Sequence, residues 1–293
     1  MNIKNLFEEK KVVFSFEIFP PKTTSSIDTI YTTLDELKDI KPDYISVTYG
    51  AGGSMKDNKT TELSSLVKNK YGIEAVAHLT CINSTKEEIQ FYLNELRNNK
   101  IENILALRGD VPVTGDVKGD LKHANELIEY IKNNNENKFN IAAACYPEGH
   151  TENKSLSLEI ESMKRKQEAG ASYFISQLFF DNEAFYYFKE QARRSGVSAP
   201  IEAGIMPITN KKQIERMVSL SGASLPTKFK KIIDRFEHNP EALRDAGIAY
   251  AVEQIVDLVS TGVDGIHLYV MNNSYLAKRI NDNIKNIITT VNK

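Results

Sequence analysis

Short runs rich in β-branched residues recur eight times in this chain, each followed by a longer amphipathic stretch, and no other feature restricts its fold as strongly. The strand-like runs fall near residues 12–19, 43–49, 74–80, 102–108, 139–146, 172–178, 201–206 and 264–270. Helical periods lie near 27–40, 60–71, 85–99, 120–134, 155–169, 182–195, 210–220 and 240–261, with a last one at 274–290. Parallel strands need crossovers of a dozen or more residues, and a helix is the usual one, so the alternation predicts an α/β fold of the single (β/α)8 TIM barrel type. A doubly wound sheet is the rival. It would bring a GxGxxG or GxxxxGK[ST] phosphate loop, and the nearest approach, Gly50, Gly52 and Gly53, lacks the third spaced glycine. Residues 221–239, with Pro226 and several lysines, read as an insertion before the eighth strand. No repeat, low-complexity tract or linker interrupts the pattern, so residues 1–293 read as one domain.

The length suits that reading, since single α/β barrels commonly need about 250 residues. A hydrophobic fraction of 41% with 26% charged residues is ordinary for a globular chain. Lys plus Arg number 37 against 39 Asp plus Glu, so no net basic field draws the chain to nucleic acid. No apolar run is long enough for a membrane span, and MNIKNLFEEKK does not resemble a secretory signal; no membrane partner and a cytoplasmic location are expected. Cys81 and Cys145 are too few for a disulfide framework and lack CxxC spacing.

Side chains alternate faces along a strand, so parity separates residues pointing into a barrel from those meeting its helices. In the first strand Phe14, Phe16 and Ile18 share the helix-facing side, and Ser15 and Glu17 the inner one. Ser46, Thr48, His78, Thr80, Arg108, Tyr146, Gln177, His267 and Tyr269 take inner or terminal positions on other strands. Polar inward residues thus gather at the carboxyl ends of strands, where barrel enzymes place their chemistry.

Glu17 is the sharpest case. Its neighbours in FEIFPP are mostly apolar and would desolvate the carboxylate, raising its pKa toward that of a general acid near neutrality. The alternative is an ion pair with Arg108 or a lysine. Arg108, Gly109 and Asp110 put a cation, a permissive backbone suited to close ligand approach, and a carboxylate on one tight loop. There the alternative is an Arg108–Asp110 ion pair that only fixes the loop. Histidines are His78, His123, His150, His238 and His267. Three sit at or past strand ends, yet no HxH, HExxH or carboxylate spacing accompanies them, and no metal is expected. Glu159 and Lys166, seven apart in a helix opened by Ser155, lie nearly on one face; alone they read as a solvated charged face. Phe179, Phe180, Phe185, Tyr186, Tyr187 and Phe188 read as core of the outer helices.

These residues sit in longer strings: FEIFPPK at 16–22, SVTYGAGG at 46–53, AHLTC at 77–81, ALRGD at 106–110 and CYPEGH at 145–150. KRKQEAGA follows at 164–171, QLFFD at 177–181, GIMPITN at 204–210 and HLYVMN at 267–272. In this order, over nearly the whole chain, they resemble the methylenetetrahydrofolate reductases. The resemblance implies the same barrel, a bound FAD, and NADH or NADPH as the donor in a ping-pong reduction of 5,10-methylenetetrahydrofolate to 5-methyltetrahydrofolate for methionine synthesis. It implies that Glu17 is the acid that protonates the leaving nitrogen as the folate's five-membered ring opens. Asp110 would tune the flavin and orient the pterin. Thr48, Tyr49, Ala51, His78, Arg108, Gly109, Asp110, His123, Ala124, Tyr146, His150, Glu159, Arg165 and Lys166 would bind the cofactor, the last two toward its phosphate and ribose. Gln177, Gln213, Tyr269 and Asn273 would bind substrate, with Gln177 also meeting nicotinamide.

Some positions depart from the family's pattern. Glu159 stands where Asp is common, Asn273 where an Arg often follows the Asn of the last strand's loop, and Met217 where some members carry a Phe against nicotinamide. The chain ends soon after the barrel, so the C-terminal regulatory half of eukaryotic members, with its feedback, is not expected. A homo-oligomer is expected. Two other readings compete: a metal-dependent barrel hydrolase or lyase using His78, His150, His267 and Asp110, and a non-catalytic flavin or folate binding module.

Overall fold

Eight parallel strands pair in chain order and close into a barrel. They are β1 (Val13–Ile18), β2 (Tyr44–Val47), β3 (Glu74–Thr80), β4 (Asn103–Leu107), β5 (Asn140–Cys145), β6 (Tyr173–Ser176), β7 (Ile201–Ile205) and β8 (Gly265–Tyr269). The computed structural model describes residues 1–20, 27–49, 59–111, 115–135 and 138–293. Helices α2 (Ile27–Lys38), α3 (Lys59–Ser65), α4 (Lys86–Asn98), α5 (Ala124–Asn134), α6 (Leu156–Ala169) and α7 (Asn182–Arg194) follow the first six strands. Three more, α8 (Lys211–Ser221), α9 (Thr227–Phe236) and α10 (Pro240–Ser260), separate β7 from β8, and α11 (Ser274–Val291) closes the chain. Among the described residues no helix is long and apolar enough to cross a membrane.

Strand parity holds. Phe14, Phe16, Ile18, Ile45, Val47, Ala75, Ala77 and Leu79 belong to the apolar layer between strands and outer helices. The inward set at the amino ends, Val13, Tyr44, Val76, Leu105, Ala142, Tyr173 and Ile175, packs instead with Ile3 and Leu6 of an N-terminal helix, α1 (Ile3–Glu9). That helix was not foreseen because it is only seven residues long. It starts where the Asn2 side chain accepts from Lys4 N–H, and the Ile3 amide donates to Asn103 at the start of β4. The amino end of the barrel is therefore plugged by α1.

The segment 221–239 is more than an insertion, for α9 packs a core of its own. Phe229, Ile232, Ile233 and Phe236 recur at helical spacing, and Phe229 stacks on Tyr250 of α10 at 4.1 Å and 12°. Intervening lysines dilute the apolar period, which explains why it read only as an insertion. The stretch 60–71 is likewise not one regular helix, since α3 runs into a π-helical turn at Leu66–Lys70. Phe179, Phe180, Phe185 and Phe188 are core, as their placement predicts, and Tyr187 is exposed.

Candidate active site

Glu17 is the last inward residue of β1, level with Ser46 on β2 and Tyr269 on β8. Its Oε2 lies 3.5 Å from His78 Nε2 and 3.6 Å from His267 Nε2. His267 is fully buried, its Nδ1 2.7 Å from Ser15 Oγ and its Nε2 3.3 Å from Ser46 Oγ. Burial pushes the Glu17 carboxyl up, but the adjoining His267 and His78 imidazoles and the Ser46 hydroxyl outweigh it and hold the group below its usual 4.5. This corrects the expectation of a raised carboxyl. Phe16 and Ile18 face the outer helices, and what surrounds Glu17 is imidazole and hydroxyl. Nor does Arg108 pair with it. Burial pushes His78 down to about 4, so this imidazole is neutral at pH 7.

Across the mouth, the ends of β4 and β5 and one face of α6 enclose a cavity of about 460 Å³. Its walls bring together Arg108, His123, Ala124, Tyr146, His150, Glu159, Arg165 and Lys166, eight of the residues expected at a cofactor. Helix α6 begins at its Ser155 cap and ends at Gly170, whose φ of +116° turns the chain back toward β6. Glu159 and Lys166 are both buried, so the pair is not a solvated face. Lys166 Nζ donates to the Ala144 carbonyl at 2.9 Å and stands 3.7 Å from Glu159 Oε1. Burial raises the Glu159 carboxyl, with Lys166 opposing, and Glu159 Oε1 accepts no hydrogen bond. Arg108 pairs with Glu152 rather than Asp110, through two hydrogen bonds of 2.8 and 2.6 Å. The Tyr146 and His150 rings meet edge to face at 4.7 Å. Arg165 is exposed and bonded to Glu161.

Other expected residues stand outside this cavity's walls. Thr48 and Tyr49 follow β2, where the Thr48 amide donates to Ile18 and the Tyr49 ring meets Tyr92 edge-on at 5.9 Å. Ala51 lies outside the described residues. Gly109 has a φ of +86°, and a Cβ there would meet Thr80 Cβ at 3.0 Å, so the backbone and Thr80 demand the glycine without any ligand. Asp110 is exposed, its carbonyl accepting from Asn83. Among the substrate candidates, Gln177 Oε1 accepts from the Leu178 amide and Gln213 Oε1 from the Thr209 amide and hydroxyl. The Tyr269 hydroxyl donates to Ser176 O, and the Asn273 side chain caps α11. Met217 is partly buried against the α8–α9 core. His78 and His267 flank Glu17 while His150 lines the cavity, and no three His, Cys, Asp or Glu among the described residues are placed to hold a metal ion.

Sequence reasoning passed over three polar residues. Glu152 covers Arg108. Asn272 pairs with both backbone groups of Phe19, at 2.9 and 2.8 Å, and so ties the β8 loop to the end of β1. Glu202 on β7 is fully buried inside the barrel, and alternation with Gly204 would have marked it as inward.

The methylenetetrahydrofolate reductase family profile matches residues 2–285. The chain belongs to that family. It is 34% identical over 266 residues to 5,10-methylenetetrahydrofolate reductase of Escherichia coli K12, covering 91% of this chain and 88% of that protein. It is also 34% identical over 283 residues to methylenetetrahydrofolate reductase (NADH) 1 of Arabidopsis thaliana, covering 92% of this chain and 48% of the plant protein, so it spans about half that relative's length. Among solved structures, an uncharacterized protein from Clostridium thermocellum that binds two copies of 5-methyl-5,6,7,8-tetrahydrofolic acid matches with a TM-score of 0.70 at 14% identity. That match covers 99% of this chain and 100% of the other, a likeness of barrel fold. As a member of the methylenetetrahydrofolate reductase family, the chain is an oxidoreductase.

Proposed function

We propose that the chain reduces 5,10-methylenetetrahydrofolate to 5-methyltetrahydrofolate with NADH or NADPH as donor and FAD as resident cofactor, feeding methionine synthesis, and that residues 1–293 act as one catalytic unit. One observation carries this reading: the cavity beside β4, β5 and α6 collects eight residues expected at a flavin from separate parts of the chain. Its size falls within the range of about 300–1,000 Å³ usual for cofactor sites. Its chemistry fits the group as well. Lys166, Arg165 and Arg108 offer cations to a diphosphate, and Glu159 Oε1, which accepts no hydrogen bond, offers a buried acceptor to a ribose hydroxyl. FAD, when bound, supplies the hydride relay between nicotinamide and folate.

The chain's own residues bind, orient and move a proton. Gln177, Gln213, Tyr269 and Asn273 stand at or beyond the carboxyl ends of β6, β7 and β8 to receive folate, and Asp110 orients the pterin. Glu17 donates its proton to the folate nitrogen that leaves as the five-membered ring opens. The carboxyl is ionised in the open site, so the pterin must cover it: removing water favours the neutral, proton-bearing form. The test is a visible absorption spectrum after incubation with excess FAD and gel filtration. Flavin bands should be retained, bleach with NADH or NADPH under anaerobic conditions, and return on adding methylenetetrahydrofolate. A colourless, folded protein would overturn the reading.

A further inference from the structure

Beneath Glu17 the barrel holds a line of polar groups that closing a barrel does not require. Glu202, Ser15 and His267 are all fully buried. Ser15 Oγ lies 3.2 Å from Glu202 Oε1 and 2.7 Å from His267 Nδ1, and His267 Nε2 lies 3.6 Å from Glu17 Oε2. The Tyr44 hydroxyl donates to the other oxygen of Glu202. On β8 the facing residue is Gly265, where a Cβ would stand 2.6 Å from Glu202 Cγ and 2.9 Å from Oε1, so the glycine keeps room for the carboxyl. Helix α1 seals the barrel below.

We propose that Glu202 stores a proton for the reaction and exchanges it with Glu17 through Ser15 and His267. The inference rests on the proposed role of Glu17 as the acid. Ser15 has one proton to give, so the direction of the whole line is set at its ends. With Glu202 protonated, its O–H donates to Ser15 and Ser15 donates to His267 Nδ1. The ring then carries its own proton on Nε2, facing a Glu17 carboxylate. Moving each proton one place along leaves Glu202 as the carboxylate, accepting from Ser15. His267 is then protonated on Nδ1, and Nε2 accepts from a Glu17 that bears the proton. The proton count is unchanged and one carboxylate replaces the other, so no net charge is created in the buried interior.

The surroundings favour storage at the inner end. Burial holds the Glu202 carboxyl up at about 8, against hydrogen bonds from Tyr44 and Ser15, while Asp43 and Asp264 add their repulsion. Tyr173 faces it from β6. Asp43 is itself paired with Lys10, and Asp264 with Lys189 and Arg193. Glu17 sits below its ordinary value among His78, His267 and Ser46. The proton therefore resides on Glu202 at neutral pH until folate covers Glu17 and shifts the balance. Glu202 touches no substrate and is a positioning residue that sets the protonation of the acid.

The experiment uses the flavin-loaded protein and follows reoxidation of reduced flavin by methylenetetrahydrofolate in a single turnover, with each variant's rate normalised to its own bleaching by NADH or NADPH. The native rate should fall as pH rises through about 8. Glu202→Gln holds no exchangeable carboxyl proton, so the fall should move to lower pH and cost about tenfold near neutrality. Tyr44→Phe removes a hydrogen bond that favours the ionised form, so it should move the fall to higher pH. Opposite shifts distinguish a proton store from a packing defect; unshifted limbs, or shifts in one direction, overturn it. Infrared titration supplies a readout free of turnover: a protonated carboxyl band at neutral pH, lost in Glu202→Gln. If the native protein gives no hydride to folate, the functional reading falls, and the Glu17 carboxylate band still decides the coupling. Its titration must shift in Glu202→Gln, and an unshifted band overturns the store.

Discussion

The two sides of the barrel mouth are made of different materials. Around Glu17 the groups come from strands, His78, His267, Ser15 and Ser46, all buried and held by register. Around the cavity they come from loops and α6, and they are charged pairs, Arg108 with Glu152 and Lys166 with Glu159. A group that must gain and lose a proton is served by few, fixed, weakly charged neighbours, because each change of partner moves its pKa. A large anionic cofactor is served instead by a roomier wall whose cations already have carboxylate partners to exchange. Under the proposed function, this difference corresponds to proton handling on one side and cofactor binding on the other.

Substituting Glu17→Gln tests the first side and carries the largest expected effect. Folate reduction should fall by about 10²- to 10⁴-fold while flavin bleaching by nicotinamide persists, measured as separate half-reactions by stopped flow. Comparable loss in both would erase the division between the two sides. On the other side, Lys166→Met keeps the stem volume and removes the ammonium, leaving the Glu159 carboxyl buried without its cation. Breaking such a pair costs about 3 kcal/mol, to be read in a denaturant midpoint. The variant should also lose flavin on gel filtration. Unchanged stability together with retained flavin would make the α6 pair incidental.

Legibility in the sequence divides along the same line. Alternation with period two places Ser15, Glu17, Ser46, His78 and His267 inward, because a barrel strand leaves its side chains no third choice. The eight strands were legible for the same reason, with ends overdrawn by no more than two residues and β3 matched at both. The cavity was not legible that way. Glu159 and Lys166 share a helix face, but whether that face meets water depends on the packing of α6 beside β5, which spacing does not encode; only the family resemblance marked them. The protonation of Glu17 was misjudged because FEIFPP gives sequence neighbours, whereas its spatial neighbours arrive from β2, β3 and β8. Helix α1 was invisible for want of length, and α9 because lysines interrupt its apolar period.

His78 offers a test of how closely the proton-handling side is packed. Its imidazole titrates at about 4 in the fold against an ordinary 6.5, so the unfolded chain binds a proton the folded one refuses. The neutral ring's contribution is complete above 6.5 and is lost as pH falls through about 4. That loss amounts to about 3 kcal/mol, seen in denaturant midpoints across this window. In His78→Gln the acid slope should flatten by a similar amount. A slope unchanged by the substitution would mean that water reaches this side and that the two sides differ less than their burial suggests.

The smallest effect concerns Glu152, which is about half exposed, 55%, yet holds both terminal guanidinium nitrogens of Arg108. An exposed pair of this kind is worth at most about 1 kcal/mol. If Arg108 serves the cofactor, Glu152 competes for the same donors and must be displaced when FAD binds. Glu152→Gln weakens the competitor without removing side-chain volume, so FAD should bind more tightly, by no more than about fivefold. Titration of flavin fluorescence measures this directly. Weaker binding would instead place Glu152 among the groups that contact the cofactor, with Arg108 held in position by it rather than withheld, and the cavity's carboxylates would then be part of the binding surface and not its gatekeepers.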